Sequence, residues 1–326
     1  MGDRVELDFQ AAARELIPDG TRLLVATSGG GDSVALLSLL HRSAPPRRLD
    51  LVVAHLDHGL RDDSGEDRRF VERLATDLGL PCHGDRREVA ALRCADESPE
   101  EAARRVRRGF LLEAAEQTGC DLIAMGHTLD DQAETVLMRL VRGAGATALT
   151  GMAARGPGPF VRPLLEIERA ALRDWLERRG PAFRDDPTNE ELRFDRNRVR
   201  QLVLPLLNDA LNPRAARHLV QAARRFREDA EYLDRTARTI FESAAGRDES
   251  GALELDAGQL DGLAPPLAQR VARLALIDAG ADARRIGARH IAALLDLARG
   301  GNRRRADLPG GLTARRDRKR LFLEKP

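Results

Sequence analysis

Between residues 22 and 142 short aliphatic runs alternate with stretches of helical periodicity, and this alternation constrains the fold more than any other feature. RLLVATS (22–28) and DLVVAHLD (50–57) have the length and composition of buried strands. DLIAMGH (121–127) is a further such run, and residues 82–89 form a weaker one. Between them the pattern turns helical: from a glycine turn to about Ser43, over 64–79 with Ser64 as cap, from Pro99 to Gln117, and on to about Arg142. The Pro99 helix has proline in its first turn and Gly119 at its end, the usual asymmetry of helix termini. Strands alternating with helices predict a parallel sheet covered on both faces, with right-handed crossovers. In such a sheet ligands sit beyond the C-terminal ends of the strands.

Past residue 142 the rhythm changes. A Gly/Pro-rich link (156–163) leads to a helix around Trp175, an irregular polar stretch and a helix from about Arg196. Asn212-Pro213 breaks the chain before a long helix reaching about Ala245. Helices near 266–279 and 287–299 and two short strand-like pieces, 312–315 and 320–323, complete it. With 326 residues there is material for two domains, each with its own core, and the boundary is expected near 212, giving 1–211 and 212–326. No apolar run approaches the roughly 20 residues that span a bilayer, and MGDRVELDF lacks a signal-peptide core, so a cytoplasmic protein with no membrane partner is expected.

Two counts exclude whole classes of chemistry. Only Lys319 and Lys325 among the 53 basic residues are lysine, so neither a Walker-A loop nor a Schiff-base enzyme is available upstream. Cys82, Cys94 and Cys120 form no C-x-x-C pair, which argues against a disulfide scaffold and a thiolate zinc finger. Charge is also unevenly placed. Residues 284–326 hold thirteen Lys/Arg against four Asp/Glu, whereas the preceding 283 residues hold forty against forty-eight. This asymmetry suits a polyanion bound at one end of the molecule; a solvated basic tail is the plain alternative.

Four clusters could carry chemistry. Ser28-Gly29-Gly30-Gly31-Asp32-Ser33 joins the first strand to its helix. Its glycines permit positive φ and close backbone approach, and the helix N-terminus attracts an anion. Ser28 and Ser33 add hydroxyl donors. Asp32 would repel bound phosphates unless a cation such as Mg²⁺ stands between them; the alternative is a flexible turn with Asp32 as cap. His55-Leu56-Asp57-His58-Gly59-Leu60-Arg61 ends the second strand, with His55 and Asp57 on one face, and reads as a base or ribose contact or as a polar turn.

The third cluster is Gly126-His127-Thr128-Leu129-Asp130-Asp131-Gln132-Ala133-Glu134-Thr135. Asp130 and Glu134 lie four apart on one helical face, a repulsion of about 0.2–0.5 kcal/mol that a bound cation would remove. A Thr128…Asp131 capping box explains one of these acids without any ligand. The fourth is Arg184-Asp185-Asp186-Pro187-Thr188-Asn189 followed by Arg196-Asn197-Arg198-Val199-Arg200. Arg196 and Arg200 would project together toward a phosphate or belong to an ion-paired surface face.

Together these stretches, with EEAARRVRR (100–108) and RPLL (162–165), resemble the PP-loop, or N-type ATP pyrophosphatase, superfamily, and more narrowly the bacterial tRNA(Ile)-lysidine synthetases. The resemblance covers about residues 20–210. It implies a doubly wound α/β fold with a five-stranded parallel sheet and a smaller, mainly helical C-terminal domain. Residues 1–211 would form the catalytic domain and 212–326 a tRNA-binding domain with a basic end. The implied reaction uses ATP to adenylate O2 of cytidine 34 in the CAU-anticodon isoleucine tRNA, after which free L-lysine attacks C2 and AMP leaves, changing decoding from AUG to AUA.

Carried over by position, Ser28, Gly29, Gly30, Gly31, Asp32 and Ser33 would hold the pyrophosphate end of ATP, and His55 the adenosine. Asp32 and Asp131 are the implied Mg²⁺ residues. Asp130 and Asp131 are candidates for metal or lysine-amine contacts, with Arg104 and Arg107 neutralising the adenylate and Arg196, Asn197 and Arg200 binding tRNA or phosphate. The family usually has tyrosine where this chain has Arg108, and its longer members carry an additional C-terminal domain. A homodimer is left open. The rival chemistry, tRNA thiolation, relies on motif cysteines that this sequence does not have.

Overall fold

A computed structural model describes residues 3–59, 64–89, 91–184, 191–300 and 304–325. Leu60, Arg61, the side chain of Ser64 and the Asp185–Asn189 portion of the fourth cluster lie outside the described residues. Two compact units divide the chain at residues 224 and 225.

The first unit begins with α1 (Arg4–Leu16), capped by the Asp3 carboxylate, which accepts from the Val5 amide at 3.1 Å. There follow β1 (Arg22–Ala26), α2 (Gly31–Arg47), β2 (Asp50–Asp57), α3 (Ser64–Asp77), β3 (Cys82–Arg86), α4 (Pro99–Thr118), β4 (Leu122–Ala124), α5 (Leu129–Val141), β5 (Phe160–Val161) and α6 (Arg169–Arg179). After α6 come α7 (Asp195–Arg198), one π-helical turn (Val199–Val203) and α8 (Leu204–Ala210).

The five strands form one parallel sheet in the order β3-β2-β1-β4-β5. Alternate residues feed opposite faces, as a strand buried on both sides requires. Leu23, Val25, Leu51 and Val53 enter a core shared with α1, α2 and α6, while Leu24, Val52, Leu56 and Ile123 enter a second core against α4. The chain winds outward from β1 to β3 and then returns to place β4 on the other side of β1. That reversal creates a crevice beyond the C-terminal ends of β1 and β4. β5 is only two residues long and lies inside the Gly/Pro-rich run expected to be a link.

In the second unit the later part of α9 (Ala215–Ala244) contributes Ala237, Ile240 and Phe241 to a core with α10 (Ala257–Asp261), α11 (Pro265–Asp278) and α12 (Ala288–Arg299). The start of α9 belongs to the first unit, where Ala216, Leu219 and Val220 pack near Leu137 and Leu204. The division therefore falls within this helix, past the Asn212-Pro213 break.

The second unit is less exclusively helical than the sequence suggests. It also holds an antiparallel five-stranded sheet, ordered β6 (Ala245–Arg247), β7 (Leu253–Asp256), β10 (Arg320–Glu324), β9 (Thr313–Asp317), β8 (Arg305–Asp307). β6 and β8 are three-residue edge strands without an alternating apolar pattern, which hides them from sequence reading. The basic end of the chain is thus α12 and three strands of this sheet rather than a solvated tail. Among the described residues no helix is long and apolar enough to cross a membrane.

Candidate active site

The glycine cluster forms a loop between β1 and α2. Gly29 takes φ +96°, a conformation costly for any residue with a β-carbon, and a β-carbon there would lie 3.3 Å from the Phe70 ring. Gly30 is the extended N-cap of α2, and a β-carbon on Gly31 would come within 3.4 Å of Phe183. The Ser33 hydroxyl ties the turn together, donating to the Gly30 carbonyl at 2.9 Å and accepting from the Ser28 amide at 3.1 Å. Among the described residues the amides of Gly31 and Asp32 have no acceptor. The loop thus presents unpaired N–H groups at the positive end of a 17-residue helix, the physical requirement for holding phosphate.

β2 delivers His55 and Asp57, both almost fully buried, to the same edge. Nδ1 of His55 lies 2.9 Å from the Thr27 carbonyl, and its Nε2 is buried without a partner. Burial pushes this imidazole below its ordinary pKa, so Nε2 is offered as an acceptor. Gly126, after β4, lies against the first turn of α2. A β-carbon there would fall 3.1 Å from the Asp32 carbonyl oxygen and 3.2 Å from Ser33 Cα, so glycine is what lets the β1 and β4 motifs meet. His127 beside it has an Nδ1 buried without a partner. Burial and nearby guanidinium groups, Arg107 first among them, push it down to about 3 against the attraction of Asp131.

The start of α5 holds the most heavily charged part of the site. Thr128 and Asp131 do form the capping box: Asp131 Oδ2 accepts from the Thr128 amide at 2.8 Å and from its hydroxyl at 3.1 Å. The other oxygen, Oδ1, accepts from Arg169 (3.0 Å), Arg196 (3.0 Å) and Arg200 (3.2 Å). One turn on, the fully buried Glu134 accepts from Arg196 Nε and Arg200 Nε at 2.7 Å each and lies 3.5 Å from Arg169. Arg169 also donates to Asp32 at 2.8 Å. Burial opposes ionisation of Asp131, but Arg169 and Arg196 outweigh it and hold the carboxyl well below its usual range. At Asp32 burial wins over Arg169, and the pKa is raised. Arg200 reaches this knot from the π-helical turn, a local unwinding common at functional sites.

Most of the residues expected from sequence surround one cleft of about 650 Å³. Ser28, Gly30, Gly31, Asp32, Ser33, His55, Arg107, Asp131, Arg196 and Arg200 all line it. Gly29 shapes the loop from behind. Three expectations come out differently. Asp130 turns away, accepting from the Arg169 amide at 2.8 Å and so closing the N-terminus of α6. Arg104 lies on the exposed face of α4 and does not line the cleft. Asn197 is buried and donates to the Glu191 carbonyl at 3.0 Å, which fixes the chain entering α7. Sequence reading missed Arg169, the hub of the knot, because a single arginine opening a helix carries no signal. Glu134 and His127 sit inside the third cluster and were within reach of it.

Six arginines and four aspartates line the cleft, so it favours an anion with several charges. Its inner wall is apolar, with Leu56, Phe110, Leu111 and Met125, and suits a flat ring. The two expected metal residues differ in fit. Asp32 uses one oxygen for Arg169, and the other has no hydrogen-bond partner among the described residues, which fits a cation bridging to phosphates. Both oxygens of Asp131 are already taken, so it does not fit.

Comparison with known proteins agrees with this architecture. Residues 3–207 match the PP-loop domain family. A tRNA(Ile)-lysidine synthase of Geobacter sulfurreducens is 41% identical over 278 residues, covering 84% of this chain and 59% of that protein, so the chain spans about three-fifths of this relative's length. A tRNA(Ile)-lysidine synthase of Streptomyces coelicolor is 37% identical over 313 residues, covering 94% and 86%. Among solved structures, the U34-tRNA thiolase of Methanococcus maripaludis superposes with a TM-score of 0.59 at 18% identity, over 69% of this chain and 78% of that one, a likeness of fold alone. The chain belongs to the PP-loop family and, within it, to the tRNA(Ile)-lysidine synthases.

Proposed function

We propose that the protein is an ATP-dependent tRNA(Ile)-lysidine synthase acting on cytidine 34 of the CAU-anticodon isoleucine tRNA with free L-lysine. One observation carries this reading: the unpaired amides of the glycine loop and the Asp32–Arg169–Asp131 chain of charges line one cleft that also has an apolar wall. In the first step O2 of the base attacks the α-phosphorus of ATP, the bond to the β-phosphate oxygen breaks, and pyrophosphate leaves. The Gly31 and Asp32 amides, the Ser28 hydroxyl and the cleft arginines hold the departing charge, the Ser33 hydroxyl being used on the Gly30 carbonyl. His55 Nε2 accepts from the adenosine. Mg²⁺ bound at the open oxygen of Asp32 would offset the repulsion between that carboxylate and the phosphates.

Adenylation turns the C2 oxygen into a phosphate ester. The lysine amine then forms the C2–N bond, the C2–O bond breaks, AMP departs, and the new nitrogen releases a proton. Arg107, the cleft arginine with no ion pair or hydrogen bond among the described residues, is placed to offset the charge of the adenylate. Burial and the neighbouring Arg104 push Arg107 down to about 10, so it remains cationic at neutral pH.

Sulfur transfer finds no support in the cleft lining, which includes none of Cys82, Cys94 and Cys120. The deciding experiment is mass spectrometry of transcribed isoleucine tRNA after incubation with the protein, ATP, Mg²⁺ and lysine. The expected product gains one lysine less one water. An unchanged tRNA alongside active ATP–pyrophosphate exchange would refute the lysine reading.

A further inference from the structure

Beside the cleft lies a second group of arginines, most of which have no carboxylate partner among the described residues. From Thr135 to Leu165 the chain runs thirty-one residues without Asp or Glu, yet contains Arg139, Arg142, Arg155 and Arg162. Arg142 meets Asp195 at 3.4 Å, and Arg155 reaches the Leu16 carbonyl. The other two turn onto the loop between α5 and β5. Arg139 donates to the carbonyls of Ala148 (2.7 Å) and Gly151 (3.0 Å), and Arg162 to that of Ala153 (2.7 Å). Arg108 joins the same loop from α4, donating to the Pro157 carbonyl at 3.0 Å with its guanidinium 4.4 Å from the centre of the Phe160 ring. Arg104, one turn earlier on α4, is exposed and has no ion pair or hydrogen bond among the described residues.

A carbonyl orients a guanidinium without neutralising it. Three of these charges are therefore held in place while remaining uncompensated. Their proximity is felt: after burial, the charge of Arg104 is the largest influence lowering Arg139 and Arg162. The knot in the cleft has the opposite construction, with Arg169, Arg196 and Arg200 spent on Asp32, Asp131 and Glu134. Arg107, between Arg104 and Arg108 on α4, lines the cleft, so the cationic shelf begins where the cleft ends.

We propose that Arg104, Arg108 and Arg139 form a docking shelf for the phosphodiester backbone of the RNA strand whose target base enters the cleft, with the buried Arg162 adding its charge from behind. The proposal rests on the reading of a tRNA substrate given above. A single nucleotide does not need the shelf, because the glycine loop and the cleft arginines already serve its phosphates. Several fixed guanidinium groups continuing outward from a cleft fit a chain of phosphates, which they would position without reading sequence.

The test uses the full chain and the transcribed CAU-anticodon isoleucine tRNA, with filter binding across a series of salt concentrations and ATP affinity measured in parallel. Arg104→Ala and Arg108→Ala are each expected to weaken tRNA binding about tenfold at low salt. Each should also reduce the slope of log affinity against log salt by about one, with ATP affinity unchanged. Arg104 is exposed and unpaired, so its variant tests the shelf even if loss of Arg108 disturbs the loop. Unchanged affinity and slope would overturn the proposal. So would an equal loss from Arg14→Ala on the exposed face of α1, or a parallel fall in ATP affinity. A wild-type chain that binds no tRNA while still binding ATP would overturn the shelf and the tRNA reading together.

Discussion

Two motifs meet at the switch point of the sheet, and they are built on opposite principles. The loop after β1 is made of backbone: three glycines, two serines and unpaired amides, with Asp32 its only charged side chain. The turn after β4 is made of buried charge, with Asp131 and Glu134 held by three arginines. A backbone site is assembled by local sequence and costs little to keep open. A buried ionic site is assembled by distant residues, and each of its charges depends on the others. The first should therefore fail in chemistry and the second in folding.

The largest effect is expected at the buried end of that contrast. Glu134→Ala leaves Arg196 and Arg200 facing one carboxylate instead of two. Losing one member of a buried pair costs about 3–5 kcal/mol. Because both arginines retain some solvent access, a loss near 3 kcal/mol is expected in urea unfolding. A variant as stable as the wild type would break the contrast. Asp32→Ala should do the reverse: ATP–pyrophosphate exchange falls by roughly 10²–10³-fold, the cost of losing one preorganised electrostatic group, with little change in melting temperature. Arg169 keeps Asp131 and Glu134 in that variant. Undiminished exchange would refute the phosphate-site assignment.

Gly126→Ala tests the seam between the two motifs. A β-carbon would press on the backbone of Asp32 and Ser33, which cannot rotate away as a side chain can. Overpacking of this kind costs about 1–3 kcal/mol, and weaker ATP binding should accompany it because α2 carries the anion-binding amides. Equilibrium unfolding and nucleotide titration of the same variant would check both halves.

The same contrast explains what could be read in advance. The glycine loop was legible because everything it needs lies within six consecutive residues after a strand. The repulsion between Asp130 and Glu134 was also legible, but it suggested an external cation. The cations are instead arginines of the chain, 38, 65 and 69 residues beyond Asp131, and nothing local announces them. Asp130 leaves the site altogether to close α6. β5 was hidden because two residues within a Gly/Pro-rich run have no periodicity. In α1 the buried positions 5, 9, 13 and 16 and the cap at Asp3 form a readable pattern outside the strand–helix alternation on which the reading was founded.

The finest test concerns His127, which stands between the two constructions. Its pKa is about 3 in the folded chain and 6.5 as the ordinary value, so the fold favours the neutral ring. The unfolded chain binds the proton first as pH falls. The stabilisation is therefore complete above about pH 7 and is lost progressively from 6.5 toward 3. Asp131, held below its usual range, has the same sign but acts only in more acid solution, below about pH 4. Asp32, raised by burial, acts in the opposite sense, because its folded form takes up the proton first as pH falls. One pKa unit corresponds to about 1.4 kcal/mol. Wild-type stability should drop by about 2 kcal/mol across that interval on account of His127. His127→Asn should remove most of the drop and leave the smaller contribution of His55, which is also shifted down by burial. An Asn variant with the wild-type pH slope would show that His127 is protonated at little cost, and that the buried side of the site is wetter than its geometry implies.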